Sequence, residues 1–327
     1  MENKLKAGDR IGFYSPSSPA TFFAPKRFQR AKNFLEKKGF ILEEGILTGK
    51  SEGYRSGSVK ERVEELNNLI RNKDIKCIMS TIGGYNSNSL LPYLDYDNIK
   101  NNPKIFIGYS DVTALLLGIY AKTGLITYYG PALVASFGEL SPLVDKTYEY
   151  FKNMLMDNIK YPYEVENPKY WTDEFINWED QNREKKLYEN NLITVIPGEV
   201  EGRLIGGNLN TIYGIWGSEY MPEIKYEDIL FIEDSLKSAS EIEREFSFLK
   251  INGVFDKIGG ILLGKHELFN DQGTGKKPYE ILLEVLGDKK IPILGEFDCC
   301  HTHPMITLPI GGTVKLDATN KKLYILK

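Results

Sequence analysis

The chain has 327 residues, 42% hydrophobic and 26% charged, with a formal net charge of −4. That balance belongs to a globular protein with a sizeable core and excludes a mainly disordered chain; at this length two ordinary domains fit better than one. Basic and acidic residues are interspersed without a basic stripe, which disfavours a nucleic acid polymer as principal partner, whereas a compact nucleotide-bearing molecule needs only a few placed groups.

Met1 to Arg10 is polar and lacks the apolar core of a signal peptide, and no later run is long and apolar enough to span a bilayer. Cytoplasm is the expected location. The three cysteines, Cys77, Cys299 and Cys300, form no paired framework, which agrees with a reducing compartment. Arg10 to Ser15 reads as a strand that breaks at Ser15-Pro16-Ser17-Ser18-Pro19. Phe28 to Lys38 has helical spacing, Phe40 to Leu42 reads as the next strand, and Val59 to Ile70 is helical with Val63, Leu66 and Ile70 on one stripe. Cys77 to Ser80 and Ile105 to Ile107 are short apolar runs ending in turn residues. Such alternation predicts a layered α/β domain with a mostly parallel sheet over residues 1–165. Tyr161 to Asn191, rich in charged, aromatic and amide residues without periodicity, reads as a connection, with residues 166–192 the linker and substrate loop. A second α/β domain is expected over 193–327. Its strands are Thr194–Ile196, Ile229–Ile232, Gly260–Leu263 and Thr313–Leu316, with helices over Ala239 to Leu249 and Tyr279 to Leu286.

The strongest local signal is Lys104-Ile105-Phe106-Ile107-Gly108-Tyr109-Ser110-Asp111-Val112-Thr113. An apolar strand ends at Gly108 and a helical pattern resumes over Ala114 to Tyr120. Ser110 thus stands at a strand-to-helix junction, where a tight elbow exposes the hydroxyl and turns the Asp111 N–H toward a reacting oxygen. The helix N-terminus favours the negative charge that develops there. Ser110 or Asp111 serves equally as a helix cap, and Val112 replaces the second glycine of G-x-S-x-G, so this stretch alone leaves both readings open. Upstream, Gly83-Gly84 follows another short strand; Gly84 can offer a second oxyanion N–H or form an ordinary turn.

A serine nucleophile needs a base, and the chain has 3 histidines: His266, His301 and His303. A carboxylate must orient that base, and Ile229-Leu230-Phe231-Ile232-Glu233-Asp234 places two acids at the end of a buried-looking strand. His301 and His303 are two residues apart, a spacing that matches no metal motif, and neither Gly206-Gly207-Asn208 nor Gly83-Gly84 has the pattern of a phosphate or dinucleotide loop. A metal, ATP or nicotinamide enzyme is therefore disfavoured, and no cofactor is expected.

Together these segments resemble the LD-carboxypeptidase family. The resemblance rests on Gly108–Thr113, Gly83-Gly84, Gly202 to Leu209, Phe231-Ile232-Glu233-Asp234 and His301 to Gly311, in the family's order across almost the whole chain. Within the family the chain is most similar to the microcin C immunity branch, through Gly83 to Asn88, Tyr170 to Glu174, Asn177-Trp178-Glu179 and Gly264 to Glu267. The resemblance implies a Ser110 nucleophile, His301 as general base and acid, Glu233 as its orienter, and the Gly84 and Asp111 N–H groups as oxyanion hole. It also implies a substrate in which an amino acid, preferably acidic, is acyl-linked to a nucleotide part. Trp178 would stack on the base, Asn208 and Asn210 would hydrogen-bond the substrate, Glu267 would pair with a free α-ammonium and Lys237 with an acidic side chain. A homodimer is a further implication. Two rivals stand beside this reading: a murein tetrapeptide LD-carboxypeptidase with the same triad, and a non-catalytic protein that sequesters its ligand.

Overall fold

Short apolar runs buried on both faces form most of the first sheet, as expected of strands covered by helices on each side; its edge strand, Ile41–Glu44, is the exposed exception. In the computed structural model, which describes residues 4–326, these are β1 (Arg10–Tyr14), β2 (Ile41–Glu44), β3 (Ile75–Ser80), β4 (Ile105–Gly108) and β5 (Thr127–Tyr129). Met1 to Asn3 of the polar opening segment lie outside the described residues. The helix Pro25–Lys37 joins β1 to β2, and Val59–Arg71 leads to β3 behind a capping box in which Ser58 and Glu61 bond reciprocally. β1 to β5 are all parallel. Their order, 5-4-3-1-2, reverses direction between β1 and β3, and the crevice beyond the carboxyl ends of such strands is where doubly wound sheets hold ligands.

The connecting region contributes β6 (Tyr163–Glu164) and a small hairpin, β7 (Tyr170–Trp171) with β8 (Tyr188–Glu189). The second sheet is mixed and built from β9 (Ile193–Ile196), β10 (Glu199–Asn208), β11 (Ile229–Glu233), β12 (Gly260–Gly264), β13 (Ile293–Phe297), β15 (Thr313–Asp317) and β16 (Lys322–Ile325), with β6 at one edge. Within it β10 to β13 run parallel, and the outer strands are antiparallel. The protein is thus a two-domain α/β fold. From residue 193 onward the chain does not stay with the second sheet: β14 (Leu308–Ile310) adds antiparallel to β5. The segment between β13 and β14 therefore crosses from one domain to the other. A single cluster of buried side chains runs through both halves, and the Tyr129 and Phe231 rings meet edge to face at 5.1 Å across the junction. Among the described residues no helix is long and apolar enough to cross a membrane.

Candidate active site

Three loops at the carboxyl ends of β1, β3 and β4 lie side by side. Ser110, just beyond β4, has φ 62°, a left-handed conformation that is strained for a residue with a side chain. This is the elbow expected of a nucleophile, and neither Ser110 nor Asp111 caps the helix Thr113–Thr123 with its side chain. Gly83 packs directly against the elbow: a Cβ added there would stand 2.8 Å from Ser110 Cβ and 3.0 Å from both Ser110 Oγ and the Asp111 nitrogen. Gly84, at φ 145°, is equally closed to side chains, because its Cβ would meet Ser17 Oγ at 2.3 Å. The glycine pair is there to let one backbone approach another.

The Asp111 carboxylate fastens these loops together. Its Oδ2 accepts the N–H groups of Asn86 at 3.1 Å and Ser87 at 2.9 Å, while Ser87 Oγ donates to the Asp111 carbonyl at 2.6 Å. Ser17 Oγ accepts the Tyr85 N–H at 3.0 Å, tying the loop after β1 into the same array. Asp111 thus has a second role that its position in the sequence did not suggest: its side chain holds the Gly83–Ser87 turn in register with its own backbone N–H.

Glu233 ends β11, fully buried, and every one of its hydrogen bonds is to a named donor. Oε2 lies 2.7 Å from His301 Nδ1; Oε1 accepts the Tyr129 hydroxyl at 2.5 Å and Asn208 Nδ2 at 3.1 Å. Tyr129 OH in turn accepts the Ser110 N–H at 3.0 Å, so one phenol bridges the Ser110 backbone and the Glu233 carboxylate. Burial works against the Glu233 charge, but His301 and the three hydrogen bonds outweigh it and hold the carboxyl below its usual range. His301 sits on the β13–β14 crossing. Its ring meets the edge of Tyr109 at 5.0 Å, and with Nδ1 against Glu233 the other ring nitrogen, Nε2, makes no bond to that carboxylate.

The other two imidazoles are differently placed. His266 is kept neutral by burial, which pushes it down to about 4, and neither ring nitrogen has a hydrogen-bond partner. Burial, with Lys185 beside it, also drives His303 well down, and its Nε2 is 3.8 Å from Glu139. For His301 burial likewise opposes the charge, but the Glu233 carboxylate and its hydrogen bond prevail and raise it to about 9. The imidazolium form therefore dominates the free protein at neutral pH, and a base must be neutral to accept the Ser110 proton. In a titration followed by NMR, one imidazole is expected to lose its proton near pH 9 while two stay neutral from pH 5 upward. Turnover measured as kcat/KM should rise as pH climbs toward that value. An imidazole at position 301 that titrates below pH 7 in the free protein would contradict this.

Ser110, Asn208, Asn210, Asp234, Lys237, Glu267 and His301 line one cavity of about 300 Å³ together with Gly84 and Trp178. Of the candidate residues, Glu233 and Asp111 are buried behind this cavity and His266 lines a different one; the others reach it. Asn208 differs from the expectation. Its amide donates to Glu233 and, at 3.2 Å, to Asp234, and its Oδ1 accepts the Thr211 N–H at 3.0 Å, so its hydrogen-bonding capacity is spent on protein groups. Asn210 N donates to Asp234 Oδ2 at 3.0 Å. Glu267 is shifted upward by burial, with His301 and Lys185 pulling the other way. Trp178 is half-buried on the connecting segment, its indole stacked on Phe23 at 6.1 Å with the Arg27 guanidinium 4.7 Å from its centroid. Among the described residues no group of three or more His, Cys, Asp or Glu side chains is arranged to hold a metal ion.

A protein of this architecture, with a serine elbow opening on the same cavity as an imidazole, is a serine hydrolase. Comparison with known proteins narrows the class. Residues 11–130 match the LD-carboxypeptidase N-terminal domain and residues 201–316 its C-terminal domain. The chain is 60% identical over 323 residues to the microcin C7 self-immunity protein MccF of Escherichia coli, spanning 98% of this chain and 94% of that one. It is 59% identical over 321 residues to a putative carboxypeptidase of Vibrio cholerae, spanning 98% and 96%. A solved structure of MccF in complex with aspartyl sulfamoyl adenosine matches with a TM-score of 0.97 at 60% identity, over 99% of this chain and 97% of that chain. This chain belongs to the LD-carboxypeptidase family.

Proposed function

We propose that the protein hydrolyses the acyl bond between an amino acid, preferably acidic, and a nucleotide part, and so disarms microcin C-like aminoacyl-nucleotide antibiotics. The observation that carries the reading is the Glu233–His301 pair at 2.7 Å, opening on the cavity that Ser110 shares with Trp178. The relative MccF, solved in complex with aspartyl sulfamoyl adenosine, supports the substrate class.

In this mechanism Ser110 Oγ attacks the carbonyl carbon as His301 Nε2 takes its proton, and Glu233 stabilises the imidazolium. The carbonyl π pair moves onto oxygen, which receives the Gly84 and Asp111 N–H groups. Collapse breaks the bond to the leaving group, whose atom takes the proton from His301. Water then attacks the acyl-Ser110 ester, again through His301, and frees the amino acid and the Ser110 hydroxyl. Glu267 holds the α-ammonium and Lys237 the acidic side chain, while Trp178 carries the base. No metal enters any step, and the protein acts as a cytoplasmic homodimer.

Parallel assays on aspartyl sulfamoyl adenosine and on a murein tetrapeptide test the reading. Turnover of the first and not the second is expected. Release of D-alanine from the tetrapeptide alone would replace it with the murein activity, and an unchanged ligand mass in both would leave sequestration. Base stacking is worth about 1–3 kcal/mol, so Trp178→Ala should lower kcat/KM on the nucleotide substrate by about 5- to 150-fold. A smaller loss would remove Trp178 from the base site.

A further inference from the structure

Tyr129 ends β5 at the junction of the two domains, a tyrosine that the proposed mechanism does not use. β5 runs between β4 and β14, with Tyr129 in register with Gly108 on one side and Leu308 on the other. Its ring is fully buried, edge to face with Phe231 at 5.1 Å and with Tyr109 at 6.4 Å. Gly207 of β10, at φ 146°, makes room for it: a Cβ there would stand 3.0 Å from Tyr129 Cε2. Through this one phenol the first domain reaches the strand end that carries Glu233.

A phenol has one proton, and its neighbours decide where that proton goes. The Ser110 N–H can only donate, so the oxygen is its acceptor at 3.0 Å, and the proton goes to Glu233 Oε1 at 2.5 Å. Burial, and then the Glu233 carboxylate beside it, push the phenol well above its ordinary range, so it stays protonated. Each bond bears on a different half of the site. Toward Ser110 it fixes the peptide plane that enters the elbow, where a φ of 62° persists only because surrounding contacts impose it. Toward Glu233 it shares Oε1 with Asn208 and so leaves Oε2 to His301 Nδ1. Tyr129 itself does not line the cavity.

We propose that Tyr129 is a positioning residue: its hydroxyl sets the serine elbow and the Glu233 carboxylate against each other, so that one group aligns both the nucleophile and its base. The kinetic consequence rests on the serine mechanism proposed above; the effect on His301 does not. A core tyrosine that merely satisfies its hydroxyl would cost stability when truncated and leave the imidazole unchanged. The charged groups that face His301 are Glu233, Glu267 and Asp234, with His266 and His303 neutral nearby. Tyr129 faces Glu233 and the Cys299 thiol, which burial keeps protonated. Without the phenolic donor the Glu233 charge is less satisfied and attracts the His301 proton more strongly, so the imidazole should give that proton up at higher pH.

Two substitutions in the full-length protein test this. Tyr129→Phe should lower kcat on aspartyl sulfamoyl adenosine by about 10- to 100-fold, the range of a hydrogen bond to a charged group, with KM changed by less than about threefold. Followed by NMR, its His301 should titrate above the wild-type value of about 9, so the deficit in kcat/KM should be larger at pH 7 than at pH 10. Tyr129→3-fluorotyrosine keeps both bonds but makes the phenol a stronger donor, and its His301 should titrate below the wild-type value. That variant decides the matter if the phenylalanine protein does not fold. A folded Tyr129→Phe protein with wild-type His301 titration, a loss that falls wholly on KM, or a fluorinated protein whose His301 does not move would each overturn the assignment and leave Tyr129 a core residue. The serine mechanism fails on a separate result, Ser110→Ala that still hydrolyses the substrate, whereas both titrations judge Tyr129 with no substrate present.

Discussion

Ser110→Ala should lower kcat on aspartyl sulfamoyl adenosine by about 10⁶-fold while the ligand still binds. Loss of a serine nucleophile removes the covalent route entirely, and what survives is the residual contribution of the oxyanion donors and of binding. The substitution removes a single oxygen at φ 62°, where serine and alanine meet the same backbone strain, so the elbow keeps its shape. Gly83, the Asp111 carboxylate and the Tyr129 hydroxyl all hold the elbow through backbone atoms or Cβ, and none of these contacts depends on Ser110 Oγ except the close approach of Gly83. Stopped-flow turnover together with calorimetric binding separates the two effects. Hydrolysis at more than a hundredth of the wild-type rate would remove Ser110 from the reaction, and loss of binding would show that the elbow itself had moved.

How far the site could be read before the structure depended on how far apart its partners lie. The elbow was legible because its parts are consecutive: an apolar strand, Gly108, then Ser110 and a helix. Glu233 and the Gly83-Gly84 turn were visible for the same reason, each as a strand end followed by turn residues. Tyr129 was not, since its partner is 104 positions away and a tyrosine at the end of a short strand looks like any core aromatic. Choosing His301 over His303 took the family resemblance; the structure separates them by one hydrogen-bonded carboxylate against a crowded ionic cluster.

The fold follows the same rule. Four of the five parallel strands of the first sheet, β1 to β4, announce themselves by short strand-like runs with turn signals, whereas β5, three residues long, does not. β10, the strand that joins the parallel and antiparallel parts of the second sheet, does not. Its first half, Glu199 to Arg203, is partly exposed, and Gly206-Gly207 removes the side chains that would mark its buried half. β13 is masked by Gly295 and by Glu296, which adopts φ 62° within the strand. The return of β14 to the first sheet has no local signature at all. It is nevertheless what carries His301 from the domain of Glu233 toward the domain of Ser110.

Glu233→Gln should cost about 10⁴-fold in kcat, and the hydrogen bonds around the side chain say why. Tyr129 and Asn208 both donate to Oε1, so a glutamine must keep its carbonyl oxygen there and present its NH₂ to His301 Nδ1. Two donors cannot face each other. Nδ1 is forced to act as acceptor, the imidazole proton moves to Nε2, and that nitrogen can no longer receive the Ser110 proton. An acid-to-amide change of this kind in a serine triad preserves geometry and fixes the wrong tautomer, which is the source of the 10⁴-fold estimate. The same variant reports on charge. Without the Glu233 carboxylate, burial opposes only the weaker pull of Glu267 and Asp234, so the His301 proton should be lost at a pH below the wild-type value of about 9. The residual activity would then show no rise across the alkaline range in which the wild type gains. A Glu233→Gln variant that retains a tenth of wild-type kcat, or whose His301 still titrates near pH 9, would mean that the 2.7 Å contact does not set the base.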